Sequence, residues 1–141
     1  MASFIYNSGK VALAKAEINW TTDTIKAALC TSTYTPNQDS HTYFSDVTNE
    51  VTGTNYTAGG FTLTSPTVTQ DNTNNRAVID AADISNASTS IASYRYIVVY
   101  KSTGVSSTSK LIALIDLGSD FTVDNATLDI TWSSGGIINL N

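Results

Sequence analysis

Two side chains with nucleophilic or general-base chemistry stand near each other in this sequence. Cys30 and His41 are its only cysteine and only histidine, and both lie in LCTSTYTPNQDSHTYF, residues 29–44, which also holds Pro36, one of two prolines. A thiol beside an imidazole is the start of a cysteine-type acyl-transfer centre, and a hydroxyl, an imidazole and a carboxylate are the parts of a serine-type one. Asp39, Ser40 and His41 supply the second set, but consecutively, and three neighbouring side chains cannot converge on one reacting atom. Cys30 lies eleven positions from His41 on a stretch with strand periodicity, whereas a reactive thiol needs an electropositive, partly exposed setting. Cys30 is therefore expected to be a small buried apolar residue and His41 a solvated loop residue. No catalytic residue is assigned, and the chain is read as not an enzyme.

Carboxylates are the other reactive type present. Asp116, Asp120, Asp124 and Asp129 fall within fourteen residues, and Asp80 and Asp83 lie close together. A paired acid and base or a cation site could be built from such groups, but no D-x-[DN]-x-[DN]-G loop accompanies them. They read as turn residues and as the polar face of strands, with an adventitious Ca²⁺ as the alternative. The phosphate-binding patterns G-x-G-x-x-G and G-x-x-x-x-G-K-[ST] are both absent. No cofactor and no metal ligand is assigned. Tyr34, Tyr43, Phe44 and Tyr56 cluster in or beside one long connection, where aromatic rings either anchor an interface or pin the loop to its own core. These four are the candidate interface residues.

The elements that would position these groups follow from periodicity. SGKVALAKAE reads as a short helix with Ser8 as N-cap and Val11, Ala14 and Ile18 on one face. TIKAALCTST alternates as a strand, Ile25, Ala27 and Leu29 on one side and Lys26, Ala28 and Cys30 on the other. From Tyr34 to Gly60 the pattern fails, with TYFSDV as a single helical turn. So long a connection is uncommon in a compact domain unless it is functional or carries short structure of its own.

FTLTSPTVTQ reads as a strand with Pro66 at an edge or bulge, because proline cannot donate to a ladder. Asp71–Asn75 then turns the chain into RAVIDAADI as a hairpin. SYRYIVVYK and KLIALIDLG are apolar on both faces, so Tyr94–Tyr100 and Lys110–Leu117 are expected at the centre of a sheet. The link STGVSSTS between them reads as a flexible polar loop, and DFTVDNATLDITW and IINLN as two further strands. The expectation is a mainly β domain spanning residues 1–141, a sandwich or barrel-like fold of about eight strands with one or two short helices.

Composition agrees with that class. Thr, Ser and Asn make up 51 of 141 residues while 13% are charged, against about a quarter charged in an ordinary domain. Net charge is −5 and the seven Lys and Arg are scattered. This disfavours contact with nucleic acid, which is held by clustered basic residues, and with anionic membranes. The start MASFIYNSGK has no leader pattern and no apolar run reaches 18 residues, so a mature, soluble chain is expected.

The order of segments, from SGKVALAKAEINWTTDTIKAALC through NTNNRAVIDAADI to YRYIVVYKSTG and KLIALIDLGSD, resembles small virion proteins of tailed bacteriophages, some of them capsid cement or decoration proteins. The likeness covers nearly the whole chain and carries no catalytic motif. It implies a structural part on the outer surface of the head. The implied partners are the major capsid protein and the chain itself as a homo-oligomer, a dimer being favoured. A head fibre, tail or baseplate component is the alternative within the virion, and a carbohydrate-binding module displaying Trp20, Trp132 or tyrosines is the alternative outside it.

Overall fold

The computed structural model describes residues 2–141. Among the described residues nine strands form two sheets, with one α-helix. In chain order these are β1 (Phe4–Ile5), α1 (Asn7–Ala14), β2 (Ile25–Cys30), β3 (Gly53–Thr54), β4 (Phe61–Thr62), β5 (Thr67–Asp71), β6 (Arg76–Asp80), β7 (Ile84–Lys101), β8 (Leu111–Ile130) and β9 (Ile138–Leu140). The larger sheet runs β1-β8-β7-β2-β4, with β3 on another part of β7, and the smaller runs β5-β6-β9. Every pairing is antiparallel. No helix is long and apolar enough to cross a membrane among the described residues.

The centre of the larger sheet is β2, β7 and β8, and its strands bury both faces. Ile25, Ala27 and Leu29 of β2 join Ile97, Val99 and Ile112 in the main core, while Ala28 and Cys30 join Tyr96, Val98, Tyr100 and Leu114 in a second core on the other side. Two-sided apolar stretches at 94–100 and 110–117 thus mark the strands that need cover on two faces. The smaller sheet covers the main core through Ile79 and Ile138, together with Trp20 and Trp132. Both indoles are buried, and their N–H groups donate to the carbonyls of Asp80 and Ala82, where the chain leaves β6 for β7.

Several elements differ from the sequence expectation, each for a physical reason. KLIALIDLG and DFTVDNATLDITW are one strand, β8, because Gly118 at φ 85° sits within it and the ladder absorbs five register shifts. Such bulges bend and twist a strand without ending it. At one of them Ser88 adopts φ 53° and turns Thr89 inward, where its hydroxyl donates to the Asn86 carbonyl at 2.8 Å. The accessible surface is 7102 Å², against about 7,000 Å² for a compact monomer of this mass, so the long ribbon is folded into the body.

FTLTSPTVTQ is split: Ser65 at φ 50° and Pro66 break it into β4 of the larger sheet and β5 of the smaller. The proline lies where the chain changes sheets. RAVIDAADI likewise ends as a strand at Asp80. The helix begins at Asn7, with Tyr6 in the capping position and Ser8 inside the first turn, its Oγ donating to the His41 carbonyl. Its buried residues are Gly9 and Ala12, while Val11 is exposed. A Cβ on Gly9 would stand 2.8 Å from the carbonyl oxygens of Leu111 and Ile112. The helix lies against β8 by its small residues, and the larger Val11 is turned away.

Candidate functional site

The stretch 29–44 and its continuation to Val47 form the roof of the second core, while Val51 and Tyr56, farther along the connection to Gly60, pack on the main core. The path is held at intervals. The backbone of Glu50 bridges Cys30, Val51 N–H donates to the Leu29 carbonyl, and Tyr43 bridges Lys110. Phe44–Asp46 forms a single 3₁₀ turn, as TYFSDV suggested. Asp46 folds back so that its carboxylate accepts the backbone N–H groups of Thr42 at 2.8 Å and Tyr43 at 2.9 Å. Those bonds, that of Tyr43 foremost, hold its pKa below the usual carboxylate value. Gly60 closes the connection at φ 84°, where a Cβ would collide with the Ala27 carbonyl at 2.1 Å.

Cys30 is fully buried and pairs with Tyr96 across the sheet. Burial foremost, with the Glu50 carboxylate adding to it, pushes its thiol up to about 12, so the thiolate needed for nucleophilic chemistry is not formed near neutral pH. The expectation of a packed cysteine holds.

His41 differs from the expected solvated loop residue: it is half-buried and ends a chain of three side chains. Tyr6 Oη lies 3.0 Å from Tyr34 Oη, which lies 2.9 Å from His41 Nδ1. The backbone N–H of Asn37, which can only donate, also faces Nδ1 at 3.4 Å, so Nδ1 is the acceptor. Tyr34 therefore donates to His41, Tyr6 donates to Tyr34, and the imidazole proton sits on Nε2. Burial raises the hydroxyl pKa of Tyr6 well above its ordinary value and that of Tyr34 to about 12. The chain is a structural strut between the N-terminal segment and the connection. Tyr6 gave no sequence signal for this, since its partner lies 28 residues away.

The four candidate interface residues are placed as follows. Tyr34 is 2% exposed and packs edge-on to Tyr96, so it has no surface to offer a partner. Phe44 is half-buried and stacks on Tyr100 with centroids 4.1 Å apart. Tyr56 packs edge-on to Phe61, accepts the Leu29 N–H and donates to Glu50. Tyr43 is half-buried at the rim. The rings thus stand along one connection but do not form a common patch. Glu50, missed from sequence, is a further tie: its carboxylate also accepts the Gly59 N–H at 2.6 Å.

A cleft of about 280 Å³ opens beside this roof, lined by Lys26, Phe44, Glu50, Tyr100, Ser102 and Ser106 among others. The 102–110 link at its rim is ordered by its own hydroxyls, contrary to a flexible loop: Ser109 is buried, accepts the Thr103 N–H and donates to the Val105 carbonyl. The cleft offers an ammonium, a carboxylate and serine hydroxyls, the makings of a polar contact. It has no nucleophile held against a base.

The aspartates do not converge either. No group of three or more His, Cys, Asp or Glu could hold a metal among the described residues. Asp116 is paired with Arg95 through two contacts at 3.0 and 3.3 Å, and Asp71 with Arg76 at 2.9 Å. No protein-family model, no curated protein and no solved structure matches this chain. Its site must be judged on its own geometry.

Proposed function

We propose that this chain is a non-enzymatic structural protein of a tailed-phage virion, of the cement or decoration kind, which binds the outside of the head and bridges neighbouring capsomers. The observation that carries this reading is the use made of the chain's most reactive side chains. Cys30 is sealed in a core and His41 is the end of a strut, so the stretch most suited to chemistry is a packed roof. What faces solvent is weakly charged β-surface rich in Thr, Ser and Asn, suited to many modest polar contacts. Such contacts gain strength when repeated at every symmetry-related position. The resemblance in segment order to small phage virion proteins is what supports the phage part of this proposal. The carbohydrate-binding alternative loses its two tryptophan platforms, both of which are buried.

The contact surface on this reading is the outward side of the connection, where Thr35, Asn37, Thr48 and Thr52–Asn55 are exposed. The test uses purified heads lacking the protein, to which the recombinant chain is added back. Binding approaching the copy number of the capsid protein, with raised resistance of heads to heat, is the expected result. Binding at tens of copies or fewer would favour the tail or fibre alternative. Unchanged occupancy with Thr35→Arg/Thr48→Arg, both at exposed positions, would move the contact off the connection.

A further inference from the structure

The smaller sheet ends in a strand that nothing covers. Residues Thr67–Gln70 of β5 are all exposed, and only one edge of β5 is paired, to β6, in a five-residue ladder without a register shift. Proteins blunt such edges with lysines, prolines, bulges or inward charges, and TVTQD has none of these within it. Its single charge, Asp71, is already neutralised by Arg76 and bonded to Asn74. The outer strands β1, β3, β4 and β9 have only two or three residues each, and the edge of β8 beyond its pairing with β1 is broken up by Gly118 and the register shifts of its ladder. Val68 within β5 is 50% exposed and Leu140 of β9, on the far side of β6, is 38% exposed, two of five large apolar side chains left open on the surface among the described residues. They flank an open groove of about 670 Å³ whose walls include Gln70, Ala77 and Arg76.

We propose that a second copy of this chain occupies this edge, the two β5 strands pairing antiparallel about Thr69 to join the small sheets into one six-stranded sheet. The strand is self-complementary in that register. Thr69 would face Thr69 of the second copy, Val68 would face Gln70, and Thr67 would face Asp71, so no like charges stand opposite one another. Rows across the sheet also match. Gln70, Ala77 and Leu140 share one row of one face, and the incoming Val68 would extend it, closing the groove with an apolar residue. The symmetry is isologous, as a closed dimer requires. Five paired residues and two apolar side chains make a small interface, so the dimer is weak and concentration-dependent, with Kd on the order of 10–100 µM. The pairing stands independently of the virion proposal.

Sedimentation equilibrium over about 1–300 µM should show a monomer–dimer equilibrium. Thr69→Cys places two thiols directly opposite each other, at a Cα separation that a disulfide spans. Under mild oxidation it should cross-link at least about tenfold faster than Val105→Cys, an exposed control on the 102–110 link, because pairing raises the local thiol concentration. Cys30, fully buried, stays silent in both. Adding Val68→Lys should abolish the dimer and the fast cross-linking with the melting temperature unchanged, and Gln70→Lys serves if that variant is unstable. A wild type monomeric throughout, cross-linking no faster than the control, or a dimer that survives the lysine variants would each overturn the proposal.

Discussion

At the scale of single residues, Tyr6, Tyr34 and His41 form a strut in and beside the stretch whose residue types most resembled a reactive centre, and to which no chemistry was assigned. Its hydrogen bonds run in one direction, so its members are not equivalent. Tyr34→Phe removes the middle link, leaving the fully buried Tyr6 hydroxyl without its acceptor. It should cost about 1–3 kcal/mol, the penalty for orphaning a buried polar group. Tyr6→Phe leaves Tyr34 donating to His41 and should cost only about 0.5–1.5 kcal/mol, the net value of one hydrogen bond. Urea unfolding of both variants decides this: equal losses would mean that the strut is not directional.

At the scale of elements, two short segments carry opposite lessons about local propensity. Gly9 lies in the first turn of a helix, where glycine-to-alanine exchange ordinarily stabilises by up to about 1 kcal/mol. Here the added methyl meets two β8 carbonyl oxygens at 2.8 Å, so Gly9→Ala should destabilise, by about 1–3 kcal/mol as overpacking does. A rise in melting temperature would show that the helix can back away from the sheet. In the turn Phe44–Asp46, stability depends on an ionised carboxylate. The Tyr43 and Thr42 N–H groups favour the charged form of Asp46, so its folded pKa lies below the unfolded value, which is about 3.9. Its contribution is therefore complete above that value and is lost as the pH falls through the lower, folded one. Asp46→Ala should lower stability at pH 7 by about 1 kcal/mol. The difference from wild type should shrink as both are titrated below about pH 4. A gap that stays constant down to pH 2 would dissociate the turn from the carboxylate's charge.

At the scale of the whole molecule, pairing is dominated by contacts distant in sequence. Phe4 pairs with Leu114, β2 pairs with both β4 and β7, and the connection closes on strands from both halves of the chain. Closing such loops precedes the contacts that reward it, which places folding in the millisecond-to-second range typical of sandwiches. Stopped-flow refolding should give a main phase slower than about 1 ms. A main phase in microseconds would contradict this topology. Both ends of the 18-residue β7 contribute to one continuous core, Ile84 at one and Val99 near the other, so the body has no independently packed half.

Alternation of side chains is a local property, and wherever it decided structure it could be read directly. The strand at 25–30 and the two-sided apolar strands at 94–100 and 110–117 follow from it, while the turn at 71–75 follows from its Asn and Asp residues and the burial of Cys30 from the apolar character of a free thiol. The mainly β class follows likewise from a chain rich in β-branched and turn-forming residues. Where two segments had to choose a partner, the pattern was silent. Only packing could show that Pro66 divides one apparent strand between two sheets, or that Gly118 lets two apparent strands be one. The helix turns Gly9 rather than Val11 inward because β8 lies too close for a side chain. His41 and Phe44 point inward because Tyr34 and Tyr100, set by other elements, await them there. Register and periodicity are written along the chain; which face meets which is decided by everything that must be buried at once.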